Sequence, residues 1–140
     1  MVVRVKVKIK SLSTGKSKDE VVLVNSGAES EEPVVVVDEA VAKELGVWPP
    51  ENAEVVEVEE ASTRGQAYIL PYAVDLQLLG EKGVLSSVRA HLVIEEGLNE
   101  PLITDVTIDA LGIQVISFGE GLWKHMLDSP GVVRRSEKVK

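Results

Sequence analysis

Near its start the chain alternates strictly. Val3, Val5, Val7 and Ile9 fall on one side, and Arg4, Lys6, Lys8 and Lys10 on the other. A period of two marks a half-buried strand, predicted here over residues 2–10. Residues 13–19 are small and polar with Gly15 among them, so they form the turn of a hairpin. The returning strand covers residues 20–24, and its four apolar residues in a row, 21–24, read as buried on both faces. That strand delivers a polar corner, Asn25-Ser26-Gly27, followed by Ala28 and Glu29. Four valines at 34–37 make another buried strand. Asp38 then caps a short helix over 39–45, with Val41, Ala42 and Leu45 on its apolar side and Gly46 as its stop.

Trp48-Pro49-Pro50 is a rigid loop whose tryptophan fills core or interface. Residues 53–60 mix Val55, Val56 and Val58 with Glu54, Glu57, Glu59 and Glu60. The polar turn Ser62-Thr63-Arg64-Gly65-Gln66 follows, and 67–70 returns as a strand, which gives an exposed hairpin. A strand over 74–78, a turn over 80–83 and a strand over 88–94 carrying His91 come next. Leu102 and Ile103 form a short strand; Thr104 or Asp105 caps a helix over 106–111, which Gly112 closes. A strand over 113–118 and a turn into a terminal strand complete the domain, residues 1–127. Residues 128–140 are charged and contain Pro130 and Gly131, so a mobile tail is expected. No repeat of fixed period is visible.

The chain has 140 residues, room for one domain with a real core. Hydrophobic residues make up 44% but aromatics only 4%, so the core is built from Val, Leu, Ile and Ala. The abundance of β-branched residues points to a mainly β protein. A net charge of -8 argues against a general nucleic-acid binder. No apolar run reaches the length of a membrane span, and no signal peptide is read, so a cytoplasmic protein without membrane partners is expected. With no cysteine there is neither disulfide nor thiolate chemistry.

Several candidates for chemistry fall away. Gly15-Lys16-Ser17 is the end of a phosphate-binding loop, but Lys10 stands where that loop needs its first glycine, and a strand follows where it needs a helix. The cationic side of the first strand is either an anion-binding strip or a solvated face whose charges block edge-to-edge pairing, and the second reading is favoured. His91 and His125 show no metal-ligand spacing, and neither a metal nor a cofactor is expected. Ser26 has no histidine partner placed by the sequence, and Asp105 and Asp109 read as a cap and a solvated face.

The stretch Val21-Val22-Leu23-Val24-Asn25-Ser26-Gly27-Ala28-Glu29 closely resembles the active-site loop of retropepsin-like aspartic proteases, in which an apolar strand runs into Asp-Thr/Ser-Gly-Ala. Two further landmarks keep the family's order across residues 21–126. One is the Gly-bearing hairpin at 62–68, where the family has its substrate-covering flap. The other is Leu102-Ile103-Thr104-Asp105-Val106-Thr107-Ile108-Asp109-Ala110-Leu111-Gly112, which looks like the segment running under the catalytic loop into a helix. The extra helix ending Glu44-Leu45-Gly46 is also seen in cellular members. The resemblance implies a closed acid-protease β-barrel with one or two short helices, and a homodimer whose two loops meet on a two-fold axis. It implies catalytic positions at Asn25, Ser26 and Gly27. Peptide-binding positions would be Ala28, Glu29, Ser62, Thr63, Arg64, Gly65 and Gln66.

Three positions depart from the family. Thr104 replaces a glycine, so a side chain is expected to crowd the back of the loop. Glu29 and Asp105 are both acidic where the family pairs an acid with arginine, leaving two carboxylates to repel, recruit a lysine or hold a cation. Asn25 stands in place of the catalytic aspartate. Aspartic proteolysis needs two adjacent carboxylates sharing one proton, so that one acts as base and the other as acid. A carboxamide does neither near neutral pH. The expectation is an aspartic-protease-like homodimer, catalytically impaired, that binds extended peptide or protein segments in the groove between subunits. The alternatives are an active endopeptidase, reached if Asn25 is a laboratory substitution for a natural Asp, by deamidation of Asn25, or through Glu29 or Asp105, and an assembly dimer with no open groove.

Overall fold

The structure, a computed structural model, describes residues 2–51, 53–60 and 63–139, the side chains of 57–60, 63 and 64 excepted. Half of it is strand and a tenth helix, so the protein is mainly β. β1 (Arg4–Ser11) turns back into β2 (Ser17–Val24), as the alternation predicts, with Val5, Val7 and Ile9 fully buried. β3 (Val34–Val37) leads into α1 (Glu39–Glu44), whose cap Asp38 accepts a hydrogen bond from the Val41 N–H at 3.0 Å. β4 (Glu54–Glu60) and β5 (Thr63–Gly80) form the exposed hairpin. β6 (Gly83–Glu95) and β7 (Leu102–Ile103) precede α2 (Asp105–Leu111). β8 (Ile113–Ser117), β9 (Leu122–His125) and β10 (Arg134–Arg135) make a small second sheet in the order β10-β9-β8.

The main sheet runs β1-β2-β7-β3-β6-β5-β4, and β1 also pairs with β5. That last pairing bends six strands into a ring and leaves β4 outside it, so the sheet is ring-like rather than a clean closed barrel. Two parallel pairings, β2 with β7 and β3 with β6, flank the antiparallel pair of β3 and β7. The core cluster holds Val3, Val22, Val35, Leu76, Leu92 and Ile103 from or beside the ring. Val41, Ala42 and Leu45 join it from α1 and its cap, and Ile108 and Leu111 from α2. Its side chains are aliphatic apart from Trp123 on β9, as the composition requires.

Three expectations change. First, β1 is not an edge strand. It lies between β2 and β5, so its lysines do not serve to block edge pairing. Lys8 stands opposite Asp19 on one side and Gln77 on the other, and Lys10 opposite Ser17 and Asp75. Second, the strands expected at 67–70 and 74–78 are one strand, β5, with a register shift between Leu70 and Val74. Pro71, which has no N–H to give a ladder, lies in that shift.

Third, the tail expected to be mobile lies along the body. Arg134 and Arg135 pair with Trp123 and Leu122 of β9. Arg134 also makes a two-pronged ion pair with Asp128, Nε to Oδ2 at 2.9 Å and Nη2 to Oδ1 at 2.8 Å. The Glu137 N–H reaches the Arg4 carbonyl at 2.8 Å, and the Arg4 N–H reaches Ser136 Oγ at 2.8 Å. The charges that suggested a solvated tail are in part consumed by these contacts. No helix among the described residues is long and apolar enough to cross a membrane.

Candidate functional site

The Asn25 corner is built by the end of β2 and held from behind by β7 and α2. Val24, 3% exposed, is the last core residue of β2. Asn25 is half-buried, and its N–H donates to the Ile103 carbonyl at 3.3 Å. Its side-chain Oδ1 accepts the Gly27 N–H at 3.1 Å, and its carbonyl accepts the Ala28 N–H at 3.1 Å. This is the local turn that an asparagine side chain favours. It leaves Ser26 and Gly27 exposed at the tip.

The far side of the loop is tied to the start of α2. The Ala28 carbonyl accepts the Asp105 N–H at 2.9 Å, one of the donors a helix start leaves unpaired. Asp105 Oδ1 accepts N–H groups from Ser30 at 3.1 Å and from Val106 at 2.8 Å. The Asp105 carboxylate therefore braces the loop through backbone donors. Glu29, the other acid of the expected pair, is exposed. Among the described residues no group of three or more His, Asp or Glu is placed to hold a metal ion.

Thr104 does not merely crowd the loop. It is 5% exposed, and its hydroxyl lies 2.6 Å from Ser30 Oγ and 2.8 Å from Thr107 Oγ1. Thr104 occupies the cap position of α2 without a side-chain cap bond, because its hydroxyl is engaged in this chain. Thr107 continues it, donating to the Val34 carbonyl at 3.0 Å and accepting the Val34 N–H at 2.7 Å. Three hydroxyls thus join the exit of the Asn25 loop, the first turn of α2 and the start of β3. Sequence reasoning missed Ser30 and Thr107. The only local signal was two threonines three residues apart, which share a face at a helix start.

The hairpin positions stand on other elements. Gly65 pairs with Val58 and Gln66 with Glu57 across β4 and β5. A Cβ at Gly65 would lie 3.3 Å from the Glu96 carbonyl, and the Glu96 N–H donates to the Gln66 carbonyl at 3.3 Å. The hairpin therefore rests on the end of β6. Tyr68, on the same strand, donates its hydroxyl to Gln66 Oε1 at 3.0 Å and meets Trp48 edge-on with centroids 5.4 Å apart. Partial desolvation, and then the charge and hydrogen bond of Glu96, push the Tyr68 phenol up. Ser62 lies outside the described residues, as do the side chains of Thr63 and Arg64.

Each histidine has at least one ring nitrogen committed to the main chain. His125 is 3% exposed, with Nε2 3.0 Å from the Leu111 carbonyl and Nδ1 accepting the Leu127 N–H at 3.3 Å. His91 Nδ1 accepts the Tyr72 N–H at 2.8 Å. A cavity of about 1070 Å³ opens elsewhere, between β1, the turn joining β5 to β6, and the tail, and is lined in part by Lys6, Lys82, Trp123 and Arg135. Among the described residues, none of the Asn25 loop or of the hairpin lines it. No family model and no curated protein matches the chain.

Proposed function

We propose that the protein is an aspartic-protease-like homodimer, silenced at its dyad position, that takes an extended peptide or protein segment into the groove between two Asn25 loops. The observation that carries this reading is the bracing of an exposed Ser26-Gly27 tip. Its main chain is fixed to β7 and α2 at both ends, by Asn25 N–H to Ile103 and by Asp105 N–H to Ala28. A rigid polar tip at the mouth of a ring-like sheet suits precise placement of a small side chain at position 25. The order of landmarks supports the same reading: apolar strand, polar corner, mid-chain hairpin, then a strand and helix beneath the corner.

The side chain at 25 is an amide, and its oxygen is already engaged by the Gly27 N–H of its own loop. An amide neither takes a proton from water nor gives one to a leaving amine, and each missing acid or base costs on the order of 10²–10⁴ in rate. What remains is a surface for strand addition, with β4 as an outer strand of the sheet.

The test compares this chain with Asn25→Asp in a mixed-peptide cleavage assay from pH 3 to 7, with intact mass checking position 25 for deamidation. The expected outcome is cleavage by the Asp form alone, blocked by a statine-type peptide. Cleavage by the undeamidated amide form would assign proton transfer to another group. Cleavage by neither form, with no peptide bound, would favour a closed assembly dimer.

A further inference from the structure

The ring and the β4–β5 hairpin share one strand. Residues 74–78 of β5 pair with β1, and residues 63–69 pair with β4. Between them stand Pro71, Tyr72 and Ala73, where the register against β6 shifts. The hairpin leaves the ring at this point. Tyr72 has φ 48, the left-handed region, and is the one non-glycine residue with positive φ among those described. A residue with a Cβ keeps that conformation only where its surroundings hold it there.

Two side chains of β6 hold it. The Tyr72 N–H donates to His91 Nδ1 at 2.8 Å, and the Tyr72 carbonyl accepts from Arg89 Nε at 3.0 Å. The Tyr72 and His91 rings lie 4.2 Å apart between centroids, tilted by 57°. Arg89 and His91 flank the buried Ala90, so both stand on the outer face of β6. His91 also reaches toward the Asn25 loop through its main chain. Its N–H donates to the Pro33 carbonyl at 2.9 Å, and it pairs with Val34 at the start of β3. One residue therefore grips the root of the hairpin and the end of the segment that leaves the polar corner.

An N–H can donate to Nδ1 only while that nitrogen keeps its lone pair, which places the ring hydrogen on Nε2 of a neutral imidazole. We infer that His91 is a proton-operated latch: neutral, it fixes the Tyr72 N–H and, together with Arg89 on the Tyr72 carbonyl, the angle at which the β4–β5 hairpin leaves the ring; protonated at Nδ1, it releases that N–H, leaves Arg89 as the remaining hold and loosens the angle. The step adds one proton from solvent and breaks one hydrogen bond. Tyr72 from β5 is the titratable group against the imidazole itself; the elements packed against His91 also carry Arg89 on β6, with Asp75 of β5 paired opposite it, and Glu32 in the segment entering β3, which acts on the Tyr72 phenol. β3 brings only valines to the pairing. Glu32 is close enough that its charge and hydrogen bond, after partial desolvation, push the Tyr72 phenol up. The latch rests on the contact of the Tyr72 N–H with the His91 ring; only its consequence, access to a peptide groove that opens as pH falls, rests on the proposed function.

The test is NMR on the intact protein from about pH 8 to 5, the range in which histidine ordinarily changes charge. Long-range proton–nitrogen spectra report the His91 tautomer, and hydrogen exchange, corrected for its intrinsic pH dependence, reports the amides. The expected result is an Nε2–H tautomer at the upper end. On acidification the Tyr72 amide loses protection, and the amides of β4 and of the adjoining half of β5 shift, with the midpoint at which His91 protonates. His91→Gln keeps an acceptor that does not titrate, and in it the step should vanish. A Tyr72 amide that stays protected while His91 protonates overturns the latch, as does an Nδ1–H tautomer at neutral pH. The same hairpin shift in His91→Gln also overturns it. Should that variant fail to fold, the tautomer and amide data on the unmodified chain decide alone.

Discussion

Thr107 carries more of the loop's geometry than its place in a helix suggests. Its hydroxyl serves both main-chain groups of Val34 and meets the Thr104 hydroxyl, in a fully buried setting. Replacing it with the near-isosteric valine leaves a donor and an acceptor of β3 without partners. Thr107→Val should therefore lower unfolding free energy by about 1–3 kcal/mol in urea denaturation, with Thr107→Ser losing less. Asn25 was legible from its neighbours alone, because a polar corner after four apolar residues is a local pattern. Thr107 was not, because its partner Val34 lies 73 positions away and is brought near by the pairing of β3 with β7. Tyr72 was hidden for a similar reason. Its grip comes from β6, and the sequence offered only a proline interrupting the apolar run.

At the scale of elements, the Asp38 cap of α1 and the glycine stop of α2 were readable because both are local chemistry, whereas Thr104 at the start of α2 gives its hydroxyl to Ser30 and Thr107 instead of capping. Gly112 closes α2 with φ 76 and donates its N–H to the Asp109 carbonyl at 3.0 Å. A Cβ there would lie 2.7 Å from Met126 Cγ and Sδ, in a flexible side chain that can shift, and 3.0 Å from Nε2 of the buried His125, so crowding adds to the penalty of the left-handed backbone. Gly112→Ala should cost about 1–2 kcal/mol, read from the denaturation midpoint at unchanged slope. The tail was not readable, since it is held to the body by β9 and by Arg4 of β1, at the other end of the chain, and an ion pair within the tail stiffens that attachment. The Arg134 hydrogen bonds above all, against the penalty of burial and with help from the His125 N–H, lower the Asp128 carboxyl from 3.8 to about 2. A carboxylate whose pKa is lower folded than unfolded stabilises the fold above the unfolded value and loses that contribution as pH falls through the folded one. Asp128→Asn should thus be less stable than the parent at neutral pH. The gap should close between about pH 4 and 2 in thermal scans, as protonation removes the parent's advantage. A gap independent of pH would detach the tail from this ion pair.

The whole molecule poses the question of number. The class of the sheet followed from β-branched content and alternation, but its closure depended on β1 meeting β5, a pairing no local pattern announces. The proposed groove needs two chains, because a dyad built from one Asn25 loop has only one member. This makes a quantitative prediction once Asn25→Asp cuts peptide. Unmodified and Asn25→Asp chains, unfolded together and refolded at varied ratio and fixed total concentration, should pair at random. A two-fold dyad works only when both members are carboxylates, since one must act as base while the other holds the shared proton. Activity should then follow the square of the fraction of chains carrying Asn25→Asp, falling to about a quarter in an equal mixture. A site complete within one chain would give a straight line and about a half. Sedimentation of the same mixtures fixes the stoichiometry separately. A dimer with a linear activity plot would keep the assembly and remove the shared dyad, whereas a monomer with any activity would place the chemistry wholly within the ring of one chain.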